Sequence, residues 1–235
     1  MITLAFDSTA KAASCAVVKD GVAIGCYTID NGLTQSELLL PMAEDMLHSL
    51  KLDFSDIDLY AVSVGPGSFT GVRIGVALVK GLAFGKSTPC ASVSTIEALA
   101  ENLSGLCGII VPCMDARRAQ VYTGIFRSCK NGIERLTEDM AIPLSELAEM
   151  LRGYAEPIYL VGDGYDVARR ALTELGIGTE STPPLLRLEN AASVAIVAER
   201  IYSRGEAISD RDISPTYLRV PQAERERLER EADKN

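Results

Sequence analysis

One stretch constrains this chain more than any other: Gly65-Pro66-Gly67-Ser68-Phe69-Thr70-Gly71-Val72-Arg73-Ile74-Gly75. It follows an apolar run, Leu59-Tyr60-Ala61-Val62-Ser63-Val64, whose branched and aromatic residues predict a strand. Gly65 and Gly67 around Pro66 predict a tight turn, and Thr70 is placed to cap the helix that follows. That helix, predicted over residues 71–84, carries Gly71, Gly75 and Gly81, with Gly85 at its end. Each interior glycine costs about 1 kcal/mol of helix stability relative to alanine, so the pattern needs a compensating contact. At about 100° per residue the four glycines fall inside an arc of about 120°, shared with Ile74, Leu78 and Leu82. Such a stripe is expected to admit another helix's backbone. The opposite face holds Val72, Val76, Ala77, Val79, Ala83 and Phe84 around only Arg73 and Lys80. A helix apolar nearly all round is buried on both sides. One side can face its own sheet; the other is expected to face a helix of another protein.

The signature resembles a phosphate cradle at a helix N-terminus, but the residues after Gly67 are Ser68, Phe69 and Thr70, with no lysine to reach phosphates. Nor can Ser68 belong to a serine–histidine triad unless the single histidine, His48, serves it. A structural and interfacial role is therefore expected for Gly65, Pro66, Gly67, Ser68, Phe69 and Thr70. One histidine excludes any histidine-pair metal site within the chain, and His48 is read as an ordinary helix residue. Cys15, Cys26 and Cys107 sit in strand-like runs, and the six cysteines show no CxxC, so buried reduced thiols are expected. No window approaches the ~18 apolar residues of a membrane span, and no signal-peptide pattern precedes residue 4, so a cytoplasmic protein is expected. Net charge is −9, from 23 Lys and Arg against 32 Asp and Glu. Such a chain is a poor ligand for nucleic acid on its own, because phosphate neutralisation supplies most non-specific affinity.

Along the chain, residues 2–6 predict a strand ending at Asp7. Two more strands, near residues 14–18 and 22–27, are joined by Lys19-Asp20-Gly21, a hairpin signal. Thr34-x-x-Glu37 predicts a capping box opening a helix to about residue 50, with Pro41 expected to kink it. Ser94-x-x-Glu97 opens a further helix. A weaker second half starts at Gly108-Ile109-Ile110-Val111, with Val121–Phe126 as its next strand. It continues through Ile158–Val161, a helix over residues 166–175 and another over 191–202. Residues 222–235 are mostly charged and predict a solvated tail.

The glycine run looks like the signature of the TsaB (YeaZ) family, a bacterial component of the machinery that makes threonylcarbamoyladenosine in tRNA. Leu4–Thr9, Ser36–Pro41, Met114–Tyr122 and Pro215–Arg219 are similar to family segments in type and order, so the likeness runs from residue 2 to residue 219. Gln35 departs from the pattern, standing where family members usually carry a histidine. The resemblance implies a two-lobed actin-like α/β fold of the sugar-kinase ATPase type, with mixed sheets and a reduced second lobe. Residues 1–104 would form the first lobe and 105–221 the second, with the last helix able to pack back on the first.

In that fold Asp7-Ser8-Thr9 is the first phosphate-facing loop; the plainer reading is that Asp7 ends a strand and caps a turn. Asp115-Ala116-Arg117 and Gly162-Asp163-Gly164 occupy the later loop positions without the required glycine runs, so the nucleotide site reads as degenerate. Beside Asp115, Arg117 and Arg118 are expected to make a local ion pair. By resemblance the chain has no cofactor or metal of its own, and ATP or ADP would sit, if anywhere, at a subunit interface. The implied partners are the paralogue TsaD, a second copy of the chain and the ATPase TsaE, with tRNA reached only through the complex. TsaD would transfer threonylcarbamoyl to N6 of the adenosine at tRNA position 37; this chain would bind and stabilise it. The implied interface is a four-helix contact built from Leu38, Leu39, Met42 and Met46 on one helix, and Gly71, Arg73, Ile74, Gly75, Leu78 and Leu82 on the other. The competing readings are an active small-molecule kinase of the same fold, sensitive to Asp7→Ala, and a peptidase, sensitive to Ser68→Ala.

Overall fold

The computed structural model describes residues 1–117, 119–130 and 132–219. Arg118 and the predicted tail therefore lie outside the described residues. The first lobe is a five-stranded sheet in the order β3-β2-β1-β4-β5, built from β1 (Ile2–Asp7), β2 (Ala13–Lys19), β3 (Val22–Ile29), β4 (Leu59–Gly65) and β5 (Cys90–Ser94). β1 pairs antiparallel with β2 and parallel with β4, so the sheet is mixed. Helices cover both its faces, which is why β1 and β4 read as continuous apolar runs rather than alternating ones. Leu4 and Phe6 point toward α1 (Gln35–Leu50) and α2 (Phe69–Ala83), which share one face. Ala5 points the other way, into a cluster with α6 (Ala191–Ser203).

α1 opens as predicted, with the Glu37 carboxylate accepting from the Thr34 N–H at 3.1 Å. It runs unbroken through Pro41, because the hydrogen bond Pro41 cannot make falls on the exposed face, where the Glu37 carbonyl can turn to water. α2 starts earlier than its sequence suggests: Ser68, not Thr70, is the N-cap, its hydroxyl accepting from the Gly71 N–H at 3.2 Å.

The second lobe centres on β6 (Gly108–Asp115), flanked by β7 (Gln120–Thr123), β8 (Phe126–Cys129), β9 (Gly132–Arg135), β10 (Met140–Pro143) and β11 (Ile158–Val161). The single strand expected over residues 121–126 is two strands. Both pair with β6 in one register, Cys113↔Thr123 and Ile110↔Phe126, and the ladder breaks between them opposite Pro112, which has no N–H to donate. α4 (Leu144–Leu151) and α5 (Tyr165–Glu174) cover one face of this sheet. α3 (Thr95–Glu101) covers the other and also packs on α6, so these two helices fill the space between the sheets. Cys15, Cys90 and Cys113 are buried, whereas Cys26 and Cys107 are exposed. The expectation of burial fails at Cys26 because β3 is an edge strand, and at Cys107 because it precedes β6 rather than lying in it. All six are free thiols.

Candidate functional site

Two features stand out: the loop after β1, and the outer face of α2. Asp7 is fully buried, and its carboxylate is completely engaged within the chain. Oδ1 accepts from the Thr9 N–H at 2.9 Å and the Thr9 hydroxyl at 2.7 Å, while Oδ2 accepts from the Ser63 hydroxyl at 2.5 Å. Burial still pushes its pKa up, against the lowering effect of these three donors. The rest of the loop is clamped onto the glycine signature. The Thr9 carbonyl accepts from the Ser68 N–H at 2.6 Å, and the Ser8 hydroxyl donates to the Gly71 carbonyl at 2.8 Å. Gln35 completes the clamp, its amide donating to the Ala10 carbonyl at 2.9 Å. That contact gives Gln35 a definite role as a loop strap.

These contacts correct the reading of the glycine stripe. Gly71 and Gly75 do not face another helix of a partner: both are buried against their own chain. A Cβ at Gly71 would overlap the Ser8 carbonyl oxygen, and one at Gly75 would lie 2.6 Å from Ser8 Oγ. At Gly67 a Cβ would stand 2.8 Å from that of Thr9. Gly65 has φ +112 and passes so close to the segment at Thr216 that a Cβ would meet its carbonyl at 2.5 Å. Leu39, Met42 and Met46, expected at the interface, face the first lobe's own core. The stripe straddles two environments because its ~120° arc spans the edge of the buried face.

What α2 presents outward is narrower and still apolar. Ala77 and Gly81 are exposed, Phe84 just past its end is 77% exposed, and Ile74, Leu78 and Leu82 are half-buried beside them. Gly81 has open space around it. Leu38 on α1 is half-buried too, and Leu40 is 36% exposed. Arg73 is exposed but engaged: its Nε donates to the Tyr217 hydroxyl at 2.9 Å and its guanidinium lies 3.8 Å over the Phe69 ring. Phe69 stacks on Tyr217 at 4.8 Å. The strap Pro215–Arg219 thus binds the start of α2, while Arg219 donates to the Ala116 carbonyl of the second lobe at 2.8 Å.

Within the second lobe, Gly164 donates to the Cys113 carbonyl at 2.9 Å and Asp163 accepts from the Asp115 N–H at 3.1 Å. The two later loops are therefore locked to each other. At Asp115 the observed partner is the Arg117 backbone N–H at 2.7 Å, so a backbone turn replaces the expected ion pair with the Arg117 guanidinium. Among the described residues no group of three or more His, Cys, Asp or Glu is placed to hold a metal ion. No helix among them is long and apolar enough to cross a membrane. Sequence reasoning missed the strap's contacts with α2, Gln35 as a clamp and the buried Glu189 discussed below; only the Pro215–Arg219 motif signalled any of them.

Comparison with known proteins agrees with this geometry. The ROK hexokinase of Thermus thermophilus superposes with a TM-score of 0.50 at 10% identity, covering 86% of this chain and all of that one; this shows the two-lobed actin-like fold alone. A Pseudomonas aeruginosa protein described as similar to the peptidase YeaZ superposes with a TM-score of 0.79 at 26% identity, covering 93% of this chain and 99% of its own. The tRNA threonylcarbamoyladenosine biosynthesis protein TsaB of Bacillus subtilis is 30% identical over 230 residues, 97% of this chain and 99% of the relative. Residues 34–227 match the profile of the family described as TsaD, tRNA N6-adenosine threonylcarbamoyltransferase. With likeness over almost the full length of both chains, and the glycine signature locked to the first loop, the chain belongs to the TsaB (YeaZ) family.

Proposed function

We propose that this chain is a non-catalytic partner subunit in threonylcarbamoyl transfer to N6 of adenosine in tRNA. In this reading it binds and stabilises a TsaD paralogue and helps recruit TsaE. The observation that carries the reading is the contrast between its two candidate sites. The loop that would face a phosphate is filled by the chain's own atoms, with every oxygen of Asp7 engaged. The outer face of α2 instead offers Ile74, Ala77, Leu78, Gly81, Leu82 and Phe84 to a partner, an apolar ridge of the kind that marks protein association. Leu38 and Arg73 would flank it, and the same ridge would serve a homodimer. Ser68, the serine a peptidase reading would need, uses its hydroxyl to cap α2. Any nucleotide in the assembly would enter at a subunit interface.

Gly75→Leu is a poor probe of this contact, because it would break the packing on Ser8 and Val62 inside the chain. Ala77→Glu is the suitable one, since Ala77 is exposed and glutamate is a good helix former. Size-exclusion chromatography with light scattering, on the chain alone and with TsaD from the same cell, should give a 1:1 complex. Ala77→Glu should weaken it about tenfold or more, a loss of about 1.4 kcal/mol. No complex at micromolar concentration, with TsaE, ATP and tRNA also present, would overturn the reading.

A further inference from the structure

Among the described residues, Glu189 is the one carboxylate with both oxygens buried and without a hydrogen-bond partner. It lies immediately before α6, is 2% exposed, and neither carboxyl oxygen has a hydrogen-bond partner. A long acidic side chain normally escapes burial by reaching for solvent, but here the backbone is pinned on both sides. Just before it, the Arg187 carbonyl accepts from the Gly162 N–H of the second lobe at 2.7 Å. The Leu188 carbonyl accepts from the Asn102 side chain, at the end of α3, at 2.8 Å. Just after it, the Ala191 N–H donates to the Ser14 hydroxyl of β2 at 2.9 Å. Glu189 therefore sits where the chain passes from the second lobe back to the first, held by contacts to both.

The charges that bear on it are acidic. The groups that act on it are Asp7 from β1, Asp163 from the loop between β11 and α5, and Asp30 just after β3. Lys11 acts on Asp163 with the opposite sign. No trio of acidic, histidine or cysteine side chains among the described residues is arranged for a metal. An ionised Glu189 would be an unpaired buried charge facing three other acids, a state that proteins avoid by keeping the proton or by opening.

We infer that Glu189 is a proton-operated latch between the lobes: its neutral carboxyl can stay buried where the chain before α6 is hydrogen-bonded to both of them, and loss of the proton loosens that junction. Burial first, and then the three neighbouring acids, raise its pKa well above the ordinary 4.5. A raised carboxyl contributes its full stabilisation below 4.5, and that contribution disappears as pH rises through the folded-state value. The junction should therefore be tightest at mildly acidic pH and loosen on the alkaline side.

Two measurements on the full chain test this. In the wild type, the side-chain carboxyl carbon of Glu189 followed by NMR should titrate well above the exposed glutamates. Titration together with them would overturn the proposal without any variant. Hydrogen exchange at the Gly162 and Ala191 amides, corrected for intrinsic rate, reads the latch itself. Protection should fall with rising pH by up to about tenfold per unit, the limit for release of one proton. Glu189→Gln keeps the shape without the charge, and its protection should stay flat with pH. Matching pH profiles in the wild type and the variant would assign the change elsewhere and overturn the latch.

Discussion

Asp7 is held by hydrogen bonds from its own chain on both carboxylate oxygens. Three donors converge on its carboxylate in a fully buried pocket, and all three come from its own lobe. Asp7→Ala would leave the Thr9 N–H and two hydroxyls without their acceptor, each an expensive loss in a dry site. A loss of about 2–4 kcal/mol in urea-denaturation stability is expected. Asp7→Asn keeps the Oδ1 acceptor, lets the Ser63 hydroxyl turn to accept, and removes the cost of burying a charge, so it should stay within about 1 kcal/mol of the wild type. Equal damage from both would mean that the negative charge itself is needed. The sequence already contained the plainer reading of Asp7 as a strand end and turn cap. It did not show that Ser63, 56 positions away, would supply a donor, because only the parallel pairing of β1 with β4 brings them together.

At the scale of the element, the glycines of α2 serve two different environments. The glycines do share one arc, but a helix packed on a sheet has an edge, and this arc crosses it. Gly71 and Gly75 fall on the inner side and admit the Ser8 loop, whereas Gly81 faces outward with nothing near it. A period cannot say which neighbour a glycine makes room for. Gly81→Ala separates the two uses. Its Cβ meets no atom in the isolated chain, so the substitution should stabilise by about 1 kcal/mol, raising Tm by about 2–4 °C. If a partner's backbone approaches that point, the same methyl should weaken association, giving opposite signs in calorimetry and in a binding titration. Unchanged affinity would place the contact elsewhere on the ridge. Short second-lobe elements such as β9, β10 and α4 gave no clear sequence signal. Four residues of strand carry too little alternation to stand out, and the break between β7 and β8 depends on Pro112 in another strand.

Across the whole molecule, the family resemblance made the two-lobed class legible, while the joints between lobes were not. The strap at Tyr217 reaches Arg73 across 144 positions, and Ala191 reaches Ser14 across 177, so no local pattern could announce either. Charge is the property that the sequence states most directly at this scale, and the structure sharpens it. Several arginines of an already acidic chain are committed internally. Arg135 pairs with Asp139 and Glu97, Arg127 with Glu156, and Arg200 with Glu101. Arg73 and Arg219 bind Tyr217 and the Ala116 carbonyl. A surface of net charge −9 with such internally held cations cannot release many counterions from a polyanion. The chain alone should therefore bind tRNA with a Kd weaker than about 10⁻⁴ M at physiological salt, the weak end of ordinary non-specific affinity. Bound with a TsaD partner, it should appear on tRNA with a salt slope set by the partner's basic surface. Reversing exposed arginines here, Arg204→Glu for instance, should leave that slope unchanged. A filter-binding series over salt concentration decides between these outcomes. A steep slope for the isolated chain would mean that it carries a phosphate-binding surface of its own, and the division of labour proposed for the two subunits would have to be redrawn.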